Sequence, residues 1–125
     1  MKQKKILIVD DEKFLSELIC EGLQISGDYI IETAFNGQEA IDKYQQFLPD
    51  LVVMDIDMPV MDGYESSSKI KSIDPDARIL VLTGNPSDSR ARKSIDQGIA
   101  LTLLKKPLKL MDLNQTISDN LPSCN

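Results

Sequence analysis

The sequence contains no histidine and no tryptophan, and it has only two cysteines, Cys20 and Cys124. The absence of histidine excludes Ser-His-Asp triads, Cys-His dyads and histidine-ligated metal sites. The two cysteines lack the paired spacing of a zinc site, so we expect reduced thiols in a reducing compartment. Any chemistry in this chain must therefore use carboxylates, lysines, hydroxyl groups or a hard metal ion.

Long apolar runs are also missing, and no segment approaches the length of about 20 residues that a membrane-spanning helix needs. The basic N-terminus is followed by a short apolar run that ends in three acidic residues, which is unlike a signal peptide. The net charge of -6 disfavours direct binding to nucleic acid or to an anionic membrane surface. We therefore expect a cytoplasmic protein with no nucleic-acid or membrane partner.

The 125 residues are enough for one domain with its own core. Five apolar segments alternate with five amphipathic or polar helical patterns along the chain. The predicted strands are 4–9, 29–34, 51–54, 78–82 and 101–104, and the predicted helices are 12–26, 37–47, 64–73, 87–97 and 108–121. This alternation predicts an α/β fold with a doubly wound, five-stranded parallel sheet.

Two of the predicted helices have apolar faces that we expect to pack inward. The first helix has apolar residues at helical spacing, namely Phe14, Leu15, Leu18, Ile19 and Leu23. The last helix has the corresponding set Leu110, Leu113 and Ile117. The fourth helix is polar and has almost no apolar face, so its sequence predicts weak anchoring to the sheet.

Polar groups stand at the carboxyl ends of four of the five predicted strands. They are Asp10 and Asp11, Asp55, Thr83, and Lys105 or Lys106. In a parallel sheet these ends lie at one edge, where ligands of α/β proteins bind. Clustered carboxylates repel one another, and oxygen ligands favour magnesium, calcium or manganese. A lysine and a hydroxyl group nearby suit a phosphoryl group, so the set indicates phosphoryl transfer to a carboxylate.

Four motifs, in this order, resemble the response-regulator receiver domain of bacterial two-component signalling. They are VDDE at Val9 to Glu12, PDLVVMDIDMPVMDG at Pro49 to Gly63, LTG at Leu82 to Gly84, and KKP at Lys105 to Pro107. The resemblance implies a flavodoxin-like strand order, 2-1-3-4-5. It also implies a single receiver domain over residues 1–121, followed by a short tail, 122–125.

The resemblance further implies a role for each residue at the strand ends. Asp55 would accept a phosphoryl group from a partner histidine kinase or phosphotransfer protein. Asp11 and Asp55 would bind Mg²⁺ directly, with the backbone carbonyl of Asp57, while Asp10 would act through water. Mn²⁺ or Ca²⁺ could replace Mg²⁺. Thr83 would bond one phosphoryl oxygen, and the lysine before Pro107 would bind another.

In such a protein the domain catalyses its own phosphorylation and autodephosphorylation, without acting on an external substrate. It relays its state by conformational change to a downstream output protein or domain. Positions 57 and 85, here Asp57 and Asn85, usually tune the lifetime of the phosphoryl group in this family.

The chain departs from the family pattern in two places. The family usually has tyrosine or phenylalanine three residues before the lysine, whereas this chain has Leu103 or Thr102 there. The aromatic side chain whose rotation usually reports phosphorylation in this family is therefore missing. We expect the signalling surface to respond to phosphorylation more weakly or in a different way. The segment from Gly98 to Pro107 is one residue longer than usual, which leaves two candidate lysines.

We predict that Lys106, and not Lys105, is the phosphate-binding lysine. Side chains alternate faces along a strand, so two adjacent lysines cannot both point into one pocket. Lys106 directly precedes Pro107, and proline restricts the preceding residue to extended conformations while permitting a cis bond.

Two other functions compete with this interpretation. Asp55-Ile56-Asp57 is similar to the nucleophile motif of haloacid-dehalogenase-like phosphatases, but in that family the motif follows the first strand. A receiver-like interaction module that works without phosphorylation would also explain the missing aromatic. A flavodoxin-like cofactor binder is disfavoured, because the loop after the first strand is acidic where a phosphate cradle needs donors.

Overall fold

The computed structural model describes residues 3–122, apart from the side chain of Ser26, so Cys124 lies outside the described residues. The strands are β1 (Lys4–Val9), β2 (Tyr29–Ala34), β3 (Leu51–Asp55), β4 (Ile79–Thr83) and β5 (Thr102–Lys105). The helices are α1 (Lys13–Ser26), α2 (Gly37–Phe47), α3 (Gly63–Ile73), α4 (Ser89–Asp96) and α5 (Leu110–Asn120). Within residues 3–122, no helix combines the length and the apolar character that crossing a bilayer requires.

The five strands form one parallel sheet in the order β2-β1-β3-β4-β5, which confirms the predicted fold. The central strand β3 is buried along its whole length, as both-face coverage by helices requires. Its last residue, Asp55, pairs in register with Leu82 of β4, and Val9 of β1 pairs with Met54. The acidic ends of β1 and β3 are therefore direct neighbours.

Alternate residues of the strands point to opposite faces of the sheet and form two cores. One core contains Val52, Met54, Ile79 and Val81, together with apolar residues of α2, α3 and α4. The other contains the intervening strand residues and the apolar residues of α1 and α5. The helices thus cover both faces and leave the carboxyl edge of the sheet for the loops.

The predicted inward faces of α1 and α5 are wrong in part. Phe14 and Leu18 are 75% and 45% exposed, so α1 uses a narrower stripe centred on Ile19 and Leu23. Leu110 is 41% exposed, and its side chain packs on Gly22 of α1, where a Cβ would clash with it. Helical spacing identifies one side of a helix, but the width of the buried stripe depends on how near the neighbouring helix lies.

The start of α3 packs directly against the end of the central strand. The Gly63 N–H donates to the Ile56 carbonyl at 3.1 Å. A Cβ at Gly63 would lie 2.2 Å from the backbone oxygen of Asp55, so a side chain there is sterically excluded. Asp62 caps the helix by accepting a hydrogen bond from the Glu65 N–H at 2.9 Å. This close approach fixes the direction of the loop that follows Asp55.

Candidate acidic site at the carboxyl edge of the sheet

Three aspartates converge at the adjoining ends of β1 and β3. Asp55 is the last residue of β3 and Asp10 follows β1 directly; both are almost completely buried, whereas Asp11 is exposed. One carboxylate oxygen from each of the three lies within 4.8 Å of the others. The sequence predicted this cluster, and the pairing of β1 with β3 brings it together.

The hydrogen bonds of the two buried carboxylates come mainly from the backbone. Asp10 accepts from the Glu12 N–H at 2.9 Å through Oδ1, and Asp55 accepts from the Asp57 N–H at 3.2 Å through Oδ1. Asp10 Oδ2 is buried without a hydrogen-bond partner among the described residues. A buried charged oxygen in this position is unfavourable unless a cation lies close to it.

Lys106 is the cation that the structure places in this site. Its Nζ lies 3.1 Å from Asp55 Oδ1 and 3.7 Å from Asp10 Oδ2. The Lys106–Pro107 peptide bond is cis, and the Lys106 N–H donates to the Thr83 carbonyl at 2.8 Å. Lys105 is the exposed last residue of β5, paired in register with Thr83.

Burial dominates the electrostatics of the two aspartates. It raises the pKa of Asp55 to about 6, with a further increase from Asp10 that Lys106 opposes. Burial likewise raises the pKa of Asp10, against the hydrogen bond from the Glu12 N–H and the charge of Lys106. Burial alone would lower the pKa of Lys106, but Asp55 and Asp10 outweigh it and leave that pKa raised. The site thus holds more negative charge than one lysine neutralises.

Thr83 ends β4, next to β3, and its side chain is buried. Its hydroxyl donates to the Asn85 carbonyl and accepts from the Asn85 N–H, both at 3.0 Å. The hydroxyl is therefore bonded within its own loop. To reach a group bound at Asp55, it would have to release the Asn85 carbonyl.

The Asp57 carboxylate is not part of the cluster of three aspartates and is bound by a residue that the sequence did not indicate. Its Oδ1 accepts a hydrogen bond at 2.9 Å from Arg90 of α4. The polar face of α4 was noted in the sequence, but periodicity within one helix does not identify a partner 33 residues away. The only local signal was the spacing of Asp88 and Arg90, which are hydrogen-bonded to each other.

Leu103 lies on β5, partly buried, and packs against the core that β5 shares with α2, α3 and α4. With Lys106 in the site, this aliphatic side chain stands three residues before the lysine, at the position where the resemblance would place an aromatic one.

The oxygen donors of the site fit a hard divalent cation. Carboxylate oxygens of three residues meet at one point, one of them buried without a hydrogen bond, and the excess negative charge would be neutralised by such an ion. Neither histidine nor a thiolate is present in the trio, which disfavours zinc.

Comparisons with known proteins agree with this geometry. The family model "Response regulator receiver domain" matches residues 6–118. The chemotaxis protein CheY of Halobacterium salinarum is 37% identical over 116 residues, which are 93% of this chain and 95% of that protein. The structure of CheY4 from Vibrio cholerae superposes with a TM-score of 0.88 at 31% identity, covering 96% of this chain and 100% of that one.

A third relative was solved in a liganded form. The response regulator TrrA of Thermotoga maritima, in complex with Mg²⁺-BeF, superposes with a TM-score of 0.83 at 36% identity, covering 95% of this chain and 100% of that one. The motifs, the strand order, the acidic edge of the sheet and these similarities lead to one conclusion. This chain belongs to the response regulator receiver domain family.

Proposed function

We propose that this domain is a phosphorylation-dependent signalling receiver in which Asp55 is the phosphoacceptor. The single observation that supports it most is the arrangement at the end of β3. A buried carboxylate there lies 3.1 Å from the Lys106 ammonium and within 4.8 Å of oxygens from Asp10 and Asp11. A nucleophilic oxygen, a cation for the phosphoryl charge and ligands for a metal ion therefore meet at one point.

In the proposed reaction an oxygen of Asp55 attacks the phosphorus of a phosphohistidine on a partner kinase or phosphotransfer protein. The new P–O bond forms as the P–N bond breaks, and the bonding pair leaves with the imidazole, which takes up a proton. Asp55 must be ionised for this attack, and its pKa of about 6 means that it is ionised near neutral pH. Hydrolysis of the same aspartyl phosphate by water restores the carboxylate and releases phosphate.

Asp11, Asp55 and the backbone carbonyl of Asp57 would hold Mg²⁺, with Asp10 contributing through water. The bound ion supplies positive charge that offsets the charge of the transferred group. Lys106 would bind one phosphoryl oxygen through its ammonium. Thr83 would donate its hydroxyl to another, exchanging the Asn85 carbonyl for the stronger acceptor.

The proposed partners follow from the receiver family to which the chain belongs. A histidine kinase or phosphotransfer protein would supply the phosphoryl group in the cytoplasm, and a downstream protein or domain would bind the phosphorylated form. Mn²⁺ or Ca²⁺ would occupy the same oxygen ligands as Mg²⁺. The domain would catalyse its own phosphorylation and autodephosphorylation only. The haloacid-dehalogenase alternative is disfavoured, since Asp55 ends the third strand and not the first.

Intact-mass spectrometry after treatment with acetyl phosphate tests the proposal. With Mg²⁺ we expect one phosphoryl adduct on the wild-type chain, and none with EDTA or in Asp55→Asn. Asp42→Asn is the matched control and should still form the adduct, because Asp42 is an exposed carboxylate on α2 and is not one of the three clustered aspartates. An adduct that survives Asp55→Asn would contradict the assignment. A wild-type chain that takes up no phosphoryl group would favour a phosphorylation-independent interaction module instead.

A further inference from the structure

Arg90 joins two loops at the carboxyl edge of the sheet. Its guanidinium lies 2.9 Å from Asp57, 2.8 Å from Asp88 and 3.8 Å from Asp62. Asp57 and Asp62 belong to the loop between β3 and α3, whereas Asp88 precedes α4. A single exposed ion pair contributes little to stability, but a planar guanidinium shared by three carboxylates forms a network with defined geometry.

Two of these carboxylates also cap helices. Asp62 accepts from the Glu65 N–H at the start of α3, and Asp88 accepts from the Arg90 N–H at the start of α4. The positions of both side chains are therefore fixed by backbone contacts as well as by Arg90. The guanidinium of Arg90 thus binds two carboxylates whose positions the backbone already fixes.

Asp57 connects this network to the acidic site. Its N–H donates to Asp55 Oδ1 at 3.2 Å, while its side chain accepts from Arg90. The backbone of Asp57 is thus held from one side by Asp55 and from the other by α4. Any group bound through the Asp57 carbonyl depends on the orientation of this one peptide segment.

We propose that Arg90 is a positioning residue for the cation site. By binding the Asp57 side chain it fixes the peptide that carries the Asp57 carbonyl, and it thereby sets the affinity for a divalent cation. This inference rests on the proposed function, because it takes that carbonyl as a metal ligand. Removal of a partner that orients a metal ligand typically weakens metal binding about 10- to 100-fold.

The charge of Arg90 and its positioning role have opposite effects on cation affinity. A nearby positive charge repels Mg²⁺, so its removal by Arg90→Gln would tighten binding if charge were all that mattered. Loss of positioning would weaken binding instead. Arg90→Lys retains the charge but replaces the planar fork with a point charge that cannot bridge the same carboxylates.

Titration calorimetry with MgCl₂ on the full chain separates these effects. We expect Arg90→Gln and Arg90→Lys both to bind Mg²⁺ about 10-fold more weakly than wild type. Arg92→Gln is the matched control, since Arg92 is exposed on the same helix and its replacement makes the same change in charge. It should bind as wild type or slightly more tightly.

A double-mutant cycle with Asp57→Ala, which removes the acceptor of the Arg90 hydrogen bond, provides a second test that does not depend on the stability of α4. In the Asp57→Ala background, Arg90→Gln should have no more effect than Arg92→Gln, because the contact with Asp57 is already lost. Tighter binding in Arg90→Gln with unchanged binding in Arg90→Lys would overturn the inference, as would an undiminished Arg90→Gln effect in the Asp57→Ala background. If the wild-type chain bound no Mg²⁺, or if Asp11→Asn did not weaken its binding, the proposed function itself would fail.

Discussion

Asp55→Asn should make the metal-free domain more stable near neutral pH, although it removes the proposed phosphoacceptor. The Asp55 carboxylate is 1% exposed and lies beside Asp10, and these surroundings raise its pKa to about 6 from an ordinary 3.8. The folded state therefore binds a proton more tightly than the unfolded state does. As the pH rises through this interval the proton is lost, and the free energy of unfolding falls.

The size of the effect follows from the two pKa values. At pH 7.5, above both, the ionised carboxylate lowers the free energy of unfolding by about 3 kcal/mol relative to its protonated form. Asparagine stays neutral and keeps an acceptor for the Asp57 N–H. The contact with Lys106 at 3.1 Å already lowers the pKa of Asp55, so the value of about 3 kcal/mol includes the loss of that contact. The asparagine amide brings one more N–H donor into the buried site than a protonated carboxyl does, which offsets part of the gain, so we expect a net stabilisation of about 2 kcal/mol.

Urea unfolding in EDTA, followed by far-UV circular dichroism because the chain has no tryptophan, measures this difference. A change of about 2 kcal/mol moves the midpoint by roughly 1 M urea. Most of the difference should disappear at pH 4.5, where Asp55 is protonated in the folded wild type. Asp42→Asn is the control, because Asp42 is an exposed carboxylate on α2 that bonds only Gln38 among the described residues. It should change the midpoint little at either pH.

Two results would refute the reasoning. The first is an Asp55→Asn variant less stable than wild type at pH 7.5 in EDTA, which would mean that the contact with Lys106 outweighs burial and repulsion. The second is a stabilisation that does not depend on pH, which would assign the gain to packing instead of charge.

Three further predictions concern the metal, the lysines and the glycine at the site. Mg²⁺ at tenfold its dissociation constant should raise the free energy of unfolding by about 1.4 kcal/mol in calorimetry, and Asp11→Ala should abolish this gain; a persistent gain would place the ion elsewhere. Lys106→Ala should still take up some phosphoryl group but lose phosphorylation-dependent NMR shifts, whereas Lys105→Ala should resemble wild type. The reverse result would make Lys105 the phosphate-binding lysine. Gly63→Ala should lower stability by about 2 kcal/mol in urea unfolding, because its Cβ would lie 2.2 Å from the Asp55 carbonyl oxygen; an unchanged midpoint would contradict this steric argument.

The sequence predicted the strands and the strand-end residues well because both depend on local rules. The apolar run 51–54 predicts a buried strand by composition alone, and β3 ends one residue later, at Asp55. Parallel pairing then brings strand ends to one edge without any knowledge of side-chain packing. Strand alternation and the following proline favoured Lys106, and the structure places its ammonium beside Asp55.

Contacts between elements could not be predicted in the same way. The exposure of Phe14 follows from the narrow stripe through which α1 contacts the sheet. Leu110 packs on Gly22 of α1 and remains 41% exposed. Neither the width of the α1 contact with the sheet nor the contact of Leu110 with Gly22 is encoded in the spacing of apolar residues along one helix.

The partner of Asp57 depends on two segments that are far apart along the chain, the loop after β3 and the start of α4. Its side chain reaches Arg90 because Asp88 caps α4 at the point where the loop after β3 passes. The first turn of α4 is polar, and polar residues at a helix start are common without any partner across the fold. The sequence alone therefore favoured a solvated helix face over an ionic network.

The acidic site has the same limit: the sequence shows which charged residues cluster there, but not which of their oxygens are paired. Clustered strand-end aspartates are evident in the sequence, but their spacing along the chain says nothing about which oxygen has a partner. In the fold, Lys106 reaches Asp55 Oδ1 at 3.1 Å yet remains 3.7 Å from Asp10 Oδ2, which has no hydrogen bond among the described residues. Lys106 thus neutralises Asp55 more fully than it neutralises Asp10. The remaining charge is concentrated beside the exposed Asp11, and a cation arriving from solvent would meet it there.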